Sequence, residues 1–252
     1  MARRGPLPRS LLRPGLTVNG WPPASLDLPP RARSALAVCA HPDDETFGLG
    51  AVLGALVDAG TAVGGLCFTR GEASTLGGRP DDLADVRAAE LADAARVLGL
   101  RHCELLAYPD GQLATTPVAA LAAHVVRVAL RQGAELLVVF DDGGVTGHPD
   151  HQHATRVALA AAADVDVGVL AWAVPDPVAA TLNAEHGTDF RGRSAAEIDL
   201  SIAVDRGRQL RAIGCHLSQS TDNPVLRRRL QLTGPTEPLR WLRHPGLLPL
   251  LK

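Results

Sequence analysis

Between an apolar run and an amphipathic one lies Ala40-His41-Pro42-Asp43-Asp44-Glu45, and this hexapeptide restricts the chain more than any other stretch. Residues 35–40 (A-L-A-V-C-A) read as a buried strand, and residues 46–59 (T-F-G-L-G-A-V-L-G-A-L-V-D-A) as a helix. Pro42 suits a first helical turn, where its missing N–H costs nothing, and it keeps His41 extended. Asp43, Asp44 and Glu45 then fall on the free N–H groups of that turn, where negative charge is favoured. The pattern therefore concentrates an imidazole and several carboxylates at the C-terminal end of a strand. In open α/β sheets that edge is where ligands bind.

The remaining chain repeats the alternation. Strands are expected at 34–40, 62–69, 102–107, 135–140 and 167–174, and helices at 43–59, 82–98, 116–132 and 152–163. Residues 70–81 form a polar, glycine-containing loop at the same sheet edge as the first motif. Further on, 177–186 reads as helical, 198–204 as a half-exposed strand and 205–216 as a helix, whereas 223–252 shows no clear pattern. The fold class is α/β. Residues 1–33, with seven prolines, read as an irregular extension, and 34–252 as one domain.

The net charge of −2 divides into basic ends, about +5 over 1–34 and again over 227–252, and a middle of about −12. The ends show no basic patch interleaved with aromatics, so nucleic acid is not the expected partner. Four cysteines without a C-x-x-C pair read as reduced thiols. With neither a signal peptide nor an apolar run long enough to span a membrane, the expected location is cytoplasmic.

A second polar cluster follows the strand at 135–140: Asp141-Asp142-Gly143-Gly144-Val145-Thr146-Gly147-His148-Pro149-Asp150-His151, with His153 just beyond. Two histidines and a carboxylate are a common ligand set for catalytic zinc, with one position left for water. His41, Asp44 and His151 supply that set if two strand ends converge. An H-P-D-D cluster alone is more often a capped helix start; two such clusters, each after an apolar strand, argue for a shared site.

The paired motifs A-H-P-D-D-E (40–45) and G-H-P-D-H (147–151) resemble the PIG-L/LmbE-like N-deacetylases. Supporting similarities are T-R-G-E (69–72), the helix at 86–99, P-D-G (109–111) and A-I-G-C-H-L-S-Q (212–219). The resemblance implies a Rossmann-like, mostly parallel sheet flanked by helices. It implies a metal site of His41, Asp44 and His151 holding zinc, with iron(II) or another divalent metal as substitutes; His153 is the competing third ligand. It assigns Asp43 as general base, His148 to the oxyanion as a protonated imidazole, and Asp150 to orienting an imidazole. Arg87 and Asp110 match positions that meet sugar hydroxyls, with a surface pair to Glu90 as the other reading of Arg87. Glu72 is expected to support the metal or substrate, and His216 to close the pocket. Glu45 is either a support for a metal-bound histidine or a first-turn acid. Mycothiol-type members carry a tyrosine where this chain has Thr146, whose hydroxyl reaches less far.

The implied reaction is hydrolysis of an N-acyl group, in the simplest case acetyl, from an amino sugar or glycoconjugate. The partner would be that small molecule, and a homo-oligomer is left open. Two alternatives stand beside this: an amidase for larger amides, and a non-catalytic Rossmann-like sugar- or nucleotide-binding module. Against the last, no G-x-G-x-x-G opens the first helix.

Overall fold

The computed structural model describes residues 27, 29–76 and 81–245. Most of the expected irregular N-terminal extension, residues 77–80 of the polar loop, and the end of the basic C-terminal segment lie outside the described residues. The elements are β1 (Ser34–Cys39), α1 (Asp44–Phe47), α2 (Gly50–Asp58), β2 (Ala62–Thr69), α3 (Leu83–Leu98), β3 (Cys103–Tyr108), α4 (Val118–Gln132), β4 (Leu136–Phe140), α5 (Gly144–Gly147), α6 (Pro149–Val165), β5 (Gly168–Trp172), β6 (Val174–Pro175), α7 (Asp176–His186), β7 (Gly192–Arg193), β8 (Leu200–Ala203), α8 (Gly207–Ile213), α9 (Leu217–Ser220), α10 (Pro224–Thr233) and β9 (Thr236–Arg243).

Seven strands form one sheet in the order β3-β2-β1-β4-β5-β9-β8, and β6 pairs with β7 separately. The first five strands are parallel; β9 runs antiparallel between β5 and β8. Strand β1 is buried on both faces, so it reads as continuous apolar sequence. Ala35, Ala37 and Cys39 belong to the core on the face that holds α2 and α7, and Leu36, Val38 and Ala40 to the core with α4 and α6. The chain leaves β1 towards β2 and β3, then returns to β1's other side as β4. The strand order therefore reverses between β1 and β4, and the loops that leave them part there to open a crevice.

Three expectations need correction. The helix expected over 43–59 is two helices, broken at Gly48 and Leu49. The carbonyls freed by the break are taken by side chains: Gln209 donates to Thr46 and Phe47, and Arg229 to Phe47. A Cβ on Gly48 would collide with the Phe140 ring, so the break also brings β4 close. Pro42 precedes the first helix as part of the turn. The helix expected from Gln152 starts at Pro149, which makes His148 its N-cap. The unplaced C-terminal stretch contains α10 and the antiparallel strand β9.

Candidate active site

The turn after β1 is built on a left-handed residue. Asp43 has φ 115° and ψ −24°, a conformation that a non-glycine residue adopts only when its surroundings hold it there. Glu45 supplies one restraint, its carboxylate accepting from the Asp43 N–H at 2.9 Å. Arg87 supplies another. Its guanidinium donates to the Pro42 and Gly71 carbonyls and pairs with the Asp43 carboxylate at 3.0 Å. Gly71, at φ +70°, is needed there, because a Cβ would strike that guanidinium.

Asp44 turns the opposite way. Its Oδ2 accepts from the backbone N–H groups of Ala40 and His41 at 3.0 and 2.9 Å, which leaves Oδ1 facing His151 Nε2 at 3.2 Å. His41 Nδ1 lies 3.1 Å from His151 Nε2 and 3.8 Å from Asp44 Oδ2. Two distant turns thus bring His41, Asp44 and His151 into one cluster. The spacing of their donor atoms suits ligands sharing one divalent cation. Nitrogen faces nitrogen and oxygen with only protons to mediate, and a shared cation satisfies all three at once. The donor atoms of His41, His148 and His151 also lie within 4.8 Å of one another, as do those of His41, Asp110 and Asp150.

The other nitrogen of His41 is held by carboxylates. Nε2 lies 3.0 Å from Asp110 Oδ1 and 3.3 Å from Asp150 Oδ2. An imidazole that ligates a metal commonly donates its second N–H to a carboxylate in this way. Burial works to lower the pKa of His41, but the carboxylates of Asp110, Asp150 and Asp44 outweigh it and raise it to about 10. Burial likewise opposes ionisation of Asp44, yet His151 and His41 hold its carboxyl well below the usual range. Asp150 is fully buried, and the backbone N–H groups of Gly111 and Leu113 donate to it. Asp43 is pushed up to about 6, by burial and by the Asp44 and Glu45 carboxylates, against the pull of Arg87.

The loop after β4 is also strained. Val145, at φ 65° and ψ −68°, lies between Gly144 and Gly147, both at positive φ. The Arg191 N–H donates to the Val145 carbonyl at 2.7 Å. The Arg193 Nε donates to Asp141 at 2.8 Å, and Arg240 does so at 2.9 Å. Below this loop, His148 Nδ1 accepts from the Asp150 N–H at 3.2 Å. That bond leaves the proton of a neutral ring on Nε2. Burial and the neighbouring histidines His151 and His41 hold the His148 pKa down, which favours the neutral ring over the protonated one expected from sequence.

A cavity of about 440 Å³ collects these groups, lined by His41, Asp43, Asp44, Arg87, Asp110, Thr146, His148 and His151. Other expected residues lie elsewhere. His216 is fully buried behind the first turn, 2.7 Å from Glu45 Oε1 and edge-on to Phe47, so it braces the turn and does not border the cavity. Its neighbour Gln219 borders the cavity instead, and accepts from Ser74 Oγ at 2.7 Å. Glu72 is exposed and accepts from the Asp110 N–H at 3.0 Å, which supports the Asp110 loop. His153 is turned to the Thr116 carbonyl at 2.9 Å, away from the ligand cluster. Arg87 is only 3% exposed and its fork is taken by Asp43 and two carbonyls; Glu90 pairs with Ser218. Sequence reading missed Phe47, Phe140, Trp172, Phe190, Leu226 and Arg229, which also border the cavity. The one available signal was the scarcity of aromatics, 3% of the chain, half of which meet here.

Residues 36–162 match the PIG-L family, described as GlcNAc-PI de-N-acetylase. A 1D-myo-inositol 2-acetamido-2-deoxy-alpha-D-glucopyranoside deacetylase of Catenulispora acidiphila is 36% identical over 166 residues, 56% of this chain and 50% of the relative. A deacetylase of the same description from Kineococcus radiotolerans is 32% identical, over 62% of this chain and 53% of the relative. The chain thus spans about half the length of the curated relatives it matches. Among solved structures, N,N'-diacetylchitobiose deacetylase from Pyrococcus horikoshii superposes with a TM-score of 0.64 at 22% identity, covering 89% of this chain and 88% of that one. The family match takes in half of the chain and both histidine motifs, so the chain belongs to the PIG-L family.

Proposed function

We propose that the protein is a zinc-dependent amide hydrolase that removes an N-acyl group, in the simplest case acetyl, from an amino sugar or its conjugate. The observation that carries this reading is the convergence of His41 Nδ1 and His151 Nε2, 3.1 Å apart, with Asp44, whose Oδ1 lies 3.2 Å from His151 and whose Oδ2 lies 3.8 Å from His41, while Asp43 lines the same cavity. A divalent metal held by these three residues supplies Lewis acidity, polarising the amide carbonyl and making water acidic enough to react near neutral pH.

The chain's own groups do the rest. Asp43, its pKa pushed up to about 6, takes the proton of the attacking water as its oxygen bonds to the carbonyl carbon. It returns that proton to nitrogen as the C–N bond breaks, releasing a free amine and a carboxylic acid. Arg87 keeps Asp43 in place. The Nε2–H of His148 donates to the oxygen on which negative charge develops, a contact typically worth ~10²–10³ in rate. Asp150 and Asp110 hold the His41 ring, and Asp110 and Thr146 border the space where sugar hydroxyls would lie.

All four cysteines are free, which fits a reducing, cytoplasmic setting. No helix among the described residues is long and apolar enough to cross a membrane. The test is to load the purified protein with zinc, measure metal content, and follow amine release from a panel of N-acylated amino sugars. About one zinc per chain is expected, with uptake lost in His41→Ala. Unchanged uptake in that variant, or amine release unaffected by chelation, would overturn the reading.

A further inference from the structure

The two flanks of the cavity differ in chemistry. On the β2 and β3 side, the loops after those strands contribute Ser74, Asp110 and Gly111, with Ala73 and Leu76 as the apolar members. On the β5 side the wall is mostly apolar, with Asn223 and Arg229 as its polar members. Phe140 ends β4, Trp172 ends β5, Phe190 lies between α7 and β7, and Leu226 comes from α10. With Phe47, these residues include four of the chain's eight aromatic side chains, counting four Phe, three Trp and one Tyr. The wall is continuous with the reacting centre: the Phe140 ring centroid lies 4.9 Å from that of His151 and 5.4 Å from that of Trp172. Arg229 also borders this flank. Its guanidinium lies over the Trp172 ring at 4.9 Å, donates to the Phe47 carbonyl, and keeps its unpartnered Nη1 shut away from solvent.

An amide carries its acyl and amine substituents on opposite sides of the carbonyl group. A sugar amine gains its hydrogen bonds on the polar flank, whereas a polymethylene chain gains only where apolar side chains take it out of water. We propose that the acyl group removed is an apolar chain of several carbons, longer than acetyl, lodged against Phe140, Trp172, Phe190 and Leu226. The step is the hydrolysis already described, releasing the corresponding fatty carboxylic acid. This inference rests on the deacylase reading and names its substrate class.

The test compares kcat/KM of the zinc-loaded enzyme on N-acetyl-, N-hexanoyl- and N-succinylglucosamine, and on octyl N-acetylglucosaminide, by amine release. Each buried methylene is worth several-fold, so N-hexanoyl should exceed N-acetyl by ~10²-fold. Phe190→Ala and Leu226→Ala should each shrink that ratio by about 10-fold, and calorimetry with Asp43→Asn should show the same order in Kd. Equal or better turnover of the acetyl compound overturns the inference and leaves the deacylase reading standing. A preference for the octyl glycoside over N-hexanoyl overturns it by placing the apolar group on the amine side, and a preference for succinyl overturns it by showing that Arg229 reads an anion. No amine from any compound, with zinc bound, counts against the deacylase reading itself.

Discussion

Asp43 and Arg87 form the most informative pair in the site. The carboxylate belongs to a residue at φ 115° and is fastened by a guanidinium from α3, forty-four positions away in the chain. Asp43→Asn should keep the metal and lower kcat ~10²–10⁴-fold, the range for removing a general base; metal analysis beside steady-state kinetics checks both. Arg87→Ala should lower kcat more than it raises KM, because the side chain holds Asp43 and leaves little of its fork for a substrate. A rise in KM alone would show instead that Arg87 meets the sugar. The H-P-D-D motif was readable from sequence because its chemistry is local. The partners of Arg87 were not, since nothing in a helix of alternating small and charged residues says which fork will be buried.

The elements that carry the site are held by ion pairs at their ends. Asp141, at the end of β4, is buried and receives Arg193 of β7 and Arg240 of β9. This ties the strained loop bearing His148 and His151 to the β9 side of the sheet. Burial opposes ionisation of Asp141, but the two guanidinium groups and the Gly143 N–H hold its pKa below the usual carboxylate range. A carboxyl with a depressed folded pKa stabilises above its unfolded value, ~3.9, and loses that contribution as pH falls through the folded value. Asp141→Asn should therefore cost about 2–3 kcal/mol at pH 7. The gap in thermal midpoint between wild type and variant should narrow once pH drops below about 4. Asp141 and Asp142 are visible in the sequence as acids after a strand; that they clamp the loop is not, because both arginines come from the weakly patterned C-terminal third.

Across the whole molecule, β9 decides how the sheet is completed. It enters antiparallel between β5 and β8 and carries Glu237, fully buried, which accepts from Trp172 Nε1 and pairs with Arg206. Trp172 in turn lies beneath Arg229, so one buried carboxylate anchors the floor of the apolar flank. Removing one member of a buried pair strands the other, so Glu237→Ala should cost about 3–5 kcal/mol. In a chain of this size that lowers the thermal midpoint by roughly 10 °C, measurable by calorimetry.

Sequence alone determined the alternating strands and helices and the strand ends that bear His41, Asp44 and His151. These follow from hydrophobic period and from local residue chemistry, which neighbours in the chain settle between them. Tertiary structure alone decided that the strand order reverses between β1 and β4, that Arg87 faces Asp43, that His216 lies behind the turn, and that aromatics from four separate segments border one cavity. Each of those depends on packing between distant segments, where burial and ion pairing choose among partners that no periodicity marks.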